Sequence, residues 1–183
     1  TEEEMNKKIL IVTSSLRANS NSDALAQAFA QGAREAGNEV ETITLKVKNI
    51  AFCKGCMSCQ KTLKCAIRDD ANEIAEKVKC ADVIVFATPV YYYGISGQLK
   101  TLLDRCNPLF NSDYKFRDVY LLATAAEEYD SAVEGSVKGI QGWVDCFEKA
   151  RFAGTVFCGG VDAPGEIRGN AALQRACEAG KTV

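Results

Sequence analysis

Thirteen residues beginning at Cys53, CKGCMSCQKTLKC, hold four of the chain's nine cysteines: Cys53, Cys56, Cys59 and Cys65. Thiols this close can pair as disulfides, hold a metal, shuttle electrons or lie idle. Their spacing is C-x2-C-x2-C-x5-C. Paired CxxC knuckles for zinc usually stand a dozen or more residues apart. Three thiols at successive steps of three, with a fourth close behind, resemble instead the run that wraps an iron–sulfur cubane, without the proline that follows its last cysteine. Converging thiolates repel one another strongly unless a cation or a proton relieves them. Lys54, Lys61 and Lys64 flank the run; they would offset a cluster's charge, or equally lower a free thiol's pKa. A cluster, free or redox-active thiols, and zinc or another metal are all open on spacing alone.

Two further stretches carry binding chemistry. TSSLRANSNSDAL lacks the glycine pattern of a dinucleotide site and the GK[ST] of a P-loop. It offers Ser14, Ser15, Leu16, Arg17, Ser20, Asn21 and Ser22 around a helix start, where free N–H groups and the helix dipole favour an anion. Hydroxyls and amides suit a monophosphate better than a pyrophosphate, because no glycine lets the backbone approach closely. The plain alternative is that Ser20 or Ser22 merely caps the helix. The other stretch is ATPVYYYGISGQLKTLLDR. Pro89 fixes the turn, and Val90, Tyr91, Tyr92, Tyr93 and Gly94 follow. Aromatic rings beside a phosphate site suit a flat, partly apolar ligand. The alternative buries one tyrosine and sets two against a neighbouring subunit.

Composition removes other chemistries. The chain has no histidine, which excludes Ser–His and Cys–His dyads and His-containing zinc sites. Apolar residues make up 47 %, charged residues 25 %, and the net charge is −2, so no basic field points to nucleic acid or an anionic membrane. No apolar run approaches the roughly 18 residues of a spanning helix. The start, TEEEMNKK, has no apolar centre of a secretory signal and reads as a short polar tail with Met5 a candidate start. A cytoplasmic location is expected. There, Cys80, Cys106, Cys146, Cys158 and Cys177, each single in an apolar-patterned segment, are expected to be small buried hydrophobes.

The elements that must position these residues alternate. KKILIVTSS is a buried strand ending at a turn. NSDALAQAFAQGAREAG carries Leu25, Ala28, Phe29, Gly32 and Ala36 on one helical stripe and stops at Gly37. EVETITL alternates as a strand with one face more buried. After the cysteine loop, Asp70 and Glu73 give an acidic start to the helix ANEIAEKVKCA. DVIVFA is a continuous apolar strand. ISGQLKTLLDRC is a helix and DVYLLATA a strand. SAVEGSVKGIQGWVDCFEKA is a helix with Val133, Val137, Ile140, Val144 and Phe147 on its stripe, despite its glycines. AGTVFCGGV is a fifth strand and NAALQRACEAGK a last helix. Five such alternations predict one doubly wound α/β domain over 1–183, with a five-stranded parallel sheet between helix layers. Binding in such sheets falls beyond the carboxyl ends of the strands, where strand order reverses. The loops after the first, third and fourth strands are therefore the expected site.

Taken together, SSLRANSNS before a helix and PVYYYGISGQLKTLLDR resemble the NADPH-dependent FMN reductase branch of the flavodoxin-like superfamily, over most of the chain. The resemblance implies a flavodoxin-like three-layer sandwich. It implies that Ser15, Arg17, Ser20, Asn21 and Ser22 hold an FMN phosphate, and that Pro89 to Gly94 line the ring. Thr124 and Ala125, with Ala126, would form a third contact in ATAAEEYD, which lacks the glycines usual there. The cysteine run resembles that of the iron–sulfur flavoproteins in the same superfamily, which implies a 4Fe–4S cluster on Cys53, Cys56, Cys59 and Cys65. A homodimer or homotetramer is implied as well.

The function expected is an FMN-dependent oxidoreductase, reduced by NAD(P)H and passing electrons to a small-molecule or protein acceptor. The cofactor carries such chemistry, so no side-chain acid or base is indispensable. The rivals are a flavodoxin-like electron carrier without its own substrate, and a metal- or thiol-based redox sensor on the same scaffold.

Overall fold

A computed structural model describes residues 6–183. The first five residues, including Met5, lie outside it.

The strands are β1 (Lys8–Thr13), β2 (Glu39–Thr44), β3 (Val83–Pro89), β4 (Asp118–Thr124) and β5 (Arg151–Cys158). The helices are α1 (Asn21–Glu35), α2 (Cys59–Thr62), α3 (Asp70–Cys80), α4 (Gly97–Arg105), α5 (Glu134–Val144) and α6 (Ala171–Lys181). All strands run parallel in the order β2-β1-β3-β4-β5. Order reverses between β1 and β3, as a flavodoxin-like sheet requires.

The pleat divides the core. Ile9 and Ile11 of β1, with Val83, Val85 and Ala87 of β3, pack on α1 and α6. Leu10 and Val12, with Ile84 and Phe86, face the other layer, built from α3, α4 and α5. The period of two along an all-apolar strand thus feeds two separate cores. Each fully buried Leu, Ile or Phe contributes roughly 1.5–3 kcal/mol.

The helices start where capping chemistry places them. Ser20 caps α1, Ser96 caps α4 and Asn170 caps α6, each through a side-chain oxygen accepting a first-turn N–H. Asp69, one residue before the expected acidic start, caps α3. The helix expected from Ser131 is shorter, because Asp130–Val133 winds as a 3-10 turn and α5 stops at Val144. Ile140, Val144 and Phe147 are nevertheless buried. On α1 the buried face is Leu25, Ala26, Phe29, Ala30 and Ala33, while Ala36 lies past the helix end and is exposed.

Of the single cysteines, Cys106 and Cys158 are buried as expected, and burial pushes the Cys106 thiol up to about 12. Cys80 and Cys146 are exposed, since each falls at or just beyond a helix end; Cys177 is half-buried. No helix among the described residues is long and apolar enough to cross a membrane.

Candidate functional site

The loops after β1, β3, β4 and β5 enclose a cleft of about 430 Å³ at the carboxyl edge of the sheet. That volume lies within the range of small-molecule sites, roughly 300–1,000 Å³.

At one end stands the amino terminus of α1. Ser15, Arg17, Ser20, Asn21 and Ser22 line the cleft. The Ser20 hydroxyl accepts from Asp23 N at 3.1 Å, and the Ser20 carbonyl accepts from Ala24 N. The backbone N–H groups of Asn21 and Ser22, in the first helical turn, are left for an outside acceptor. Capping by Ser20 therefore does not use up these first-turn N–H groups. Ser14 does something else. Its buried hydroxyl donates to Ala87 O at 3.1 Å and accepts from Ser96 Oγ at 2.8 Å, which ties β1 to β3 and to the cap of α4. Leu16 is exposed and, like Ser14, stands outside the cleft lining.

Asn21 is committed to the loop after β5. Its Nδ2 donates to Ala163 O at 3.0 Å, and its Oδ1 accepts from Gly165 N at 3.1 Å and Ile167 N at 3.2 Å. Arg17 Nη1 donates to Asp162 O at 2.6 Å and lies 3.5 Å from the Asp162 carboxylate. Both residues line the cleft as expected of anion holders; the Asn21 side chain also fixes the wall behind the helix terminus, and Arg17 shares its charge with Asp162.

The aromatic wall is a strained turn. Tyr91 and Gly94 exchange two backbone hydrogen bonds of 3.0 Å, while Tyr92 and Tyr93 take φ of 47° and 62°. Two left-handed central residues are the hallmark of the I′ turn, normally filled by Gly, Asn or Asp. Here both are tyrosines, at a cost of roughly 1–2 kcal/mol each. Pro89 and Val90 lead into the turn along the cleft, and Tyr91, Tyr92 and Tyr93 line it too. None of the three is buried, and Tyr92 is fully exposed. A Cβ on Gly135 would overlap the Tyr93 carbonyl, so the start of α5 reaches the turn only as glycine. The Tyr93 and Tyr129 hydroxyls meet at 2.7 Å; that hydrogen bond pushes Tyr129 up to about 12. Gly94 shapes the turn without lining the cleft.

Thr124 and Ala125 line the floor with Ala126 and Glu127. The glycines missing from this loop are supplied by the next one. Gly159 lies so close to Glu127 that a Cβ would be 2.5 Å from its carbonyl oxygen, and Gly160 N donates to that oxygen at 3.0 Å. Glu127, Val161, Asp162 and Pro164 of the lining were not among the expected residues. The stretch CGGVDAPG carried a signal: turn punctuation directly after a strand at the binding edge.

The cysteine loop lies elsewhere on this edge, after β2. Cys59 opens α2 and is buried, and its sulfur accepts from Asn107 Nδ2 at 3.1 Å. Cys65 is half-buried; Cys53 and Cys56 are exposed. The Gly55 N–H meets Cys53 Sγ at 3.4 Å, and hydrogen bonds from Ser58, backbone first, lower the Cys56 pKa. Both feet of the loop are held by one buried guanidinium. Arg105 donates to Ala51 O at 2.8 Å, to Ile67 O at 3.0 Å and to both oxygens of Asp69 at 2.7 and 2.9 Å. Burial opposes the charge on Arg105, yet the hydrogen bonds it donates to Asp69, and then to Cys65, raise its pKa.

Residues 7–160 match the family model of NADPH-dependent FMN reductases. The chain belongs to that family. An iron–sulfur flavoprotein of Methanocaldococcus jannaschii is 40 % identical over 56 % of this chain and 53 % of its own length. The match to this relative thus spans about half of it. A Bacillus subtilis protein described as an NAD(P)H-dependent FMN-containing oxidoreductase is 30 % identical over 87 % of this chain and 88 % of its own. Among solved structures, an NAD(P)H:quinone oxidoreductase from Methanothermobacter marburgensis superposes with a TM-score of 0.77 at 19 % identity, covering 97 % of this chain and 96 % of that one. At that identity the likeness speaks for the shared fold.

The family makes FMN the group against which the cleft is measured, and the cleft fits it. Free N–H groups and hydroxyls gather at one end, apolar and aromatic walls stand at the other, and the volume suits a flat ligand. The thiol loop is a partial match to a 4Fe–4S cluster. Its donors are the right kind for soft metals, but among the described residues no three Cys, Asp or Glu side chains stand together in a way that would hold a metal ion.

Proposed function

We propose that this chain is an FMN-dependent oxidoreductase that takes reducing equivalents from NAD(P)H and hands them to a small-molecule or protein acceptor. The carrying observation is that the hydroxyl-rich turn before α1 and the tyrosine turn after β3, far apart in sequence, line one cleft at the point where strand order reverses. FMN bound there supplies hydride acceptance and onward electron transfer. The chain's own residues bind and orient. The N–H groups of Asn21 and Ser22, with the hydroxyls of Ser15, Ser20 and Ser22, hold the phosphate. Pro89, Val90 and Tyr91 flank the ring. The Tyr93–Tyr129 pair fixes the rim, and Thr124 and Ala125, whose carbonyls accept from Val90 N and Val161 N, form the floor.

Cys53, Cys56, Cys59 and Cys65 are the candidate ligands of a 4Fe–4S cluster, supported by donor type and by the iron–sulfur flavoprotein among the relatives. No catalytic step is assigned to that centre. A homodimer or homotetramer would cover the exposed Tyr91, Tyr92 and Tyr93 of the cleft, and Tyr129 and Leu16 outside its lining; the location proposed is the cytoplasm.

The test is anaerobic purification followed by the visible spectrum, iron and sulfide assays, and NAD(P)H oxidation with quinone or free flavin as acceptor. Bound flavin with NAD(P)H consumption is expected. A chain that binds flavin but never consumes NAD(P)H would be an electron carrier. A colourless chain that takes no FMN would refute the cleft assignment.

A further inference from the structure

Three hydroxyls stand behind the cleft, outside its lining: those of Ser14, Thr88 and Ser96. All three residues are 0 % exposed, so their bonds are made within the protein. Ser96 N donates to Thr88 Oγ1 at 3.0 Å and closes the base of the loop that carries the tyrosine turn. The Thr88 hydroxyl donates to Pro89 O at 2.8 Å. Ser96 Oγ donates to Ser14 Oγ at 2.8 Å, across 82 residues, and accepts from Leu99 N at 3.3 Å as the cap of α4. The N–H and the hydroxyl of Ser14 both donate to Ala87 O, at 3.0 and 3.1 Å. A hydroxyl carries one proton. With its proton on Ala87 O, Ser14 Oγ can only accept from Ser96, so the direction of that contact is fixed. The chain neighbours of these residues belong to the cleft. Ser14 precedes Ser15 at the anion end, Thr88 precedes Pro89 at the ring end, and both followers line the cleft. Ser96 therefore touches the foot of each wall.

We infer that Ser96 is a positioning residue that sets the spacing between the phosphate end and the ring end of the cleft, acting through Ser14 and Thr88. The inference rests on the FMN reading above. FMN joins a phosphate to a flat ring through a ribityl chain. A ligand gripped at both ends gains from the second contact only where the spacing of the two half-sites matches its own. A buried hydroxyl network with every proton used holds such a spacing firmly. Riboflavin lacks the phosphate. It calls on the ring end alone and does not sense the spacing.

The experiment uses the full chain, freed of flavin, and measures the dissociation constants of FMN and of riboflavin by quenching of flavin fluorescence. The variants are Ser96→Ala, Ser14→Ala and the two combined. Ser14→Ala leaves the Leu99 N–H capped by Ser96, so it carries the comparison if loss of the cap unfolds Ser96→Ala. Each single variant is expected to bind FMN at least about tenfold more weakly, and riboflavin within about twofold of the parent. The double variant should lose no more FMN affinity than the weaker single one, because both changes cut the same contact. Equal weakening of FMN and riboflavin would overturn the inference, since it marks a general loosening of the ring wall. Unchanged FMN affinity, or losses that add in the double variant, would overturn it too. Those three outcomes leave the FMN site itself standing. A parent chain that binds FMN no better than riboflavin would remove the phosphate contact and the inference with it. A parent that binds neither flavin would sink the cleft reading as well.

Discussion

The Tyr93 hydroxyl lies 2.7 Å from that of Tyr129, so the turn after β3 is joined to the segment that leads into α5. The bond holds the Tyr129 proton and raises its pKa to about 12. An alkaline absorbance titration of phenolate should therefore find one tyrosine ionising near that value. Tyr93→Phe should return it toward the ordinary value of about 10. The sign follows from linkage. A raised folded-state pKa stabilises the fold fully below the unfolded value, and that contribution fades as pH rises from about 10 toward 12. Identical titration curves for the two proteins would show that the hydroxyls do not meet in solution.

The strained tyrosine turn makes a second prediction with opposite effects on stability and binding. Tyr92→Gly relieves a left-handed tyrosine and should raise stability by about 1 kcal/mol in urea unfolding. The same change removes a ring from the cleft and should weaken FMN retention. Gly135→Ala should do harm on both counts, because its methyl overlaps the Tyr93 carbonyl; overpacking of this kind costs roughly 1–3 kcal/mol. A Tyr92→Gly protein that binds FMN as tightly as the parent would remove this turn from the ring wall.

The buried Arg105–Asp69 pair should matter more than any surface charge. Removing one member of such a pair typically costs about 3–5 kcal/mol, so Arg105→Met should lower the urea midpoint markedly. Limited proteolysis should then cut between Ala51 and Ile67, whose carbonyls the guanidinium holds. Although burial works against the Asp69 carboxylate, hydrogen bonds from Arg105, Ala51 and Ala71 lower its pKa. Its stabilisation is thus present above the unfolded value of about 3.9 and is lost as pH falls through the lower folded one. The acid limb of the stability curve should be shallower in Arg105→Met. An unchanged limb would mean the pair is not what acid breaks.

Ser20 and Asn21 are neighbours with different tasks, and substitution should separate them. Ser20→Ala removes a cap worth about 1 kcal/mol and one hydroxyl from the anion end. Asn21→Ala strips three hydrogen bonds from the 163–167 segment. It should therefore raise amide exchange in that segment even without FMN. Ser22→Ala should weaken FMN binding with little effect on either. If Asn21→Ala leaves exchange at Gly165 and Ile167 unchanged, the staple is not formed in solution.

Strand periodicity carried most of the fold, because an alternating βα chain with all-apolar inner strands has few ways to bury both sheet faces. The flavodoxin-like arrangement of the strands was implied by the resemblance of the two motifs rather than by periodicity. At the site, residue type identified the hydroxyl turn and the tyrosine turn, since no other part of the chain gathers those groups. Sequence could not separate residues that face the cleft from those that build it. Ser14, Asn21 and Gly94 have suitable chemistry, but their hydrogen bonds are spent on neighbouring backbone or strands. The β5 loop was missed for a related reason: Gly159 acts through the absence of a side chain beside Glu127, a contact from another strand. Left-handed φ at Tyr92 and Tyr93 was illegible because nothing in three tyrosines asks for a I′ turn. The cysteine spacing announced thiol chemistry, while the groups that hold the loop, Asn107 on the Cys59 sulfur and Arg105 on the Ala51 and Ile67 carbonyls, come from the end of α4 and just beyond it, far along the chain.

The Asn21 amide joins groups 142 to 146 residues away along the chain. On the ribosome, the first helix will have emerged long before its partners at Ala163, Gly165 and Ile167 are made. The wall behind the α1 terminus therefore cannot close until residues 163–167 have emerged, so this end of the cleft is the last part of it to be assembled.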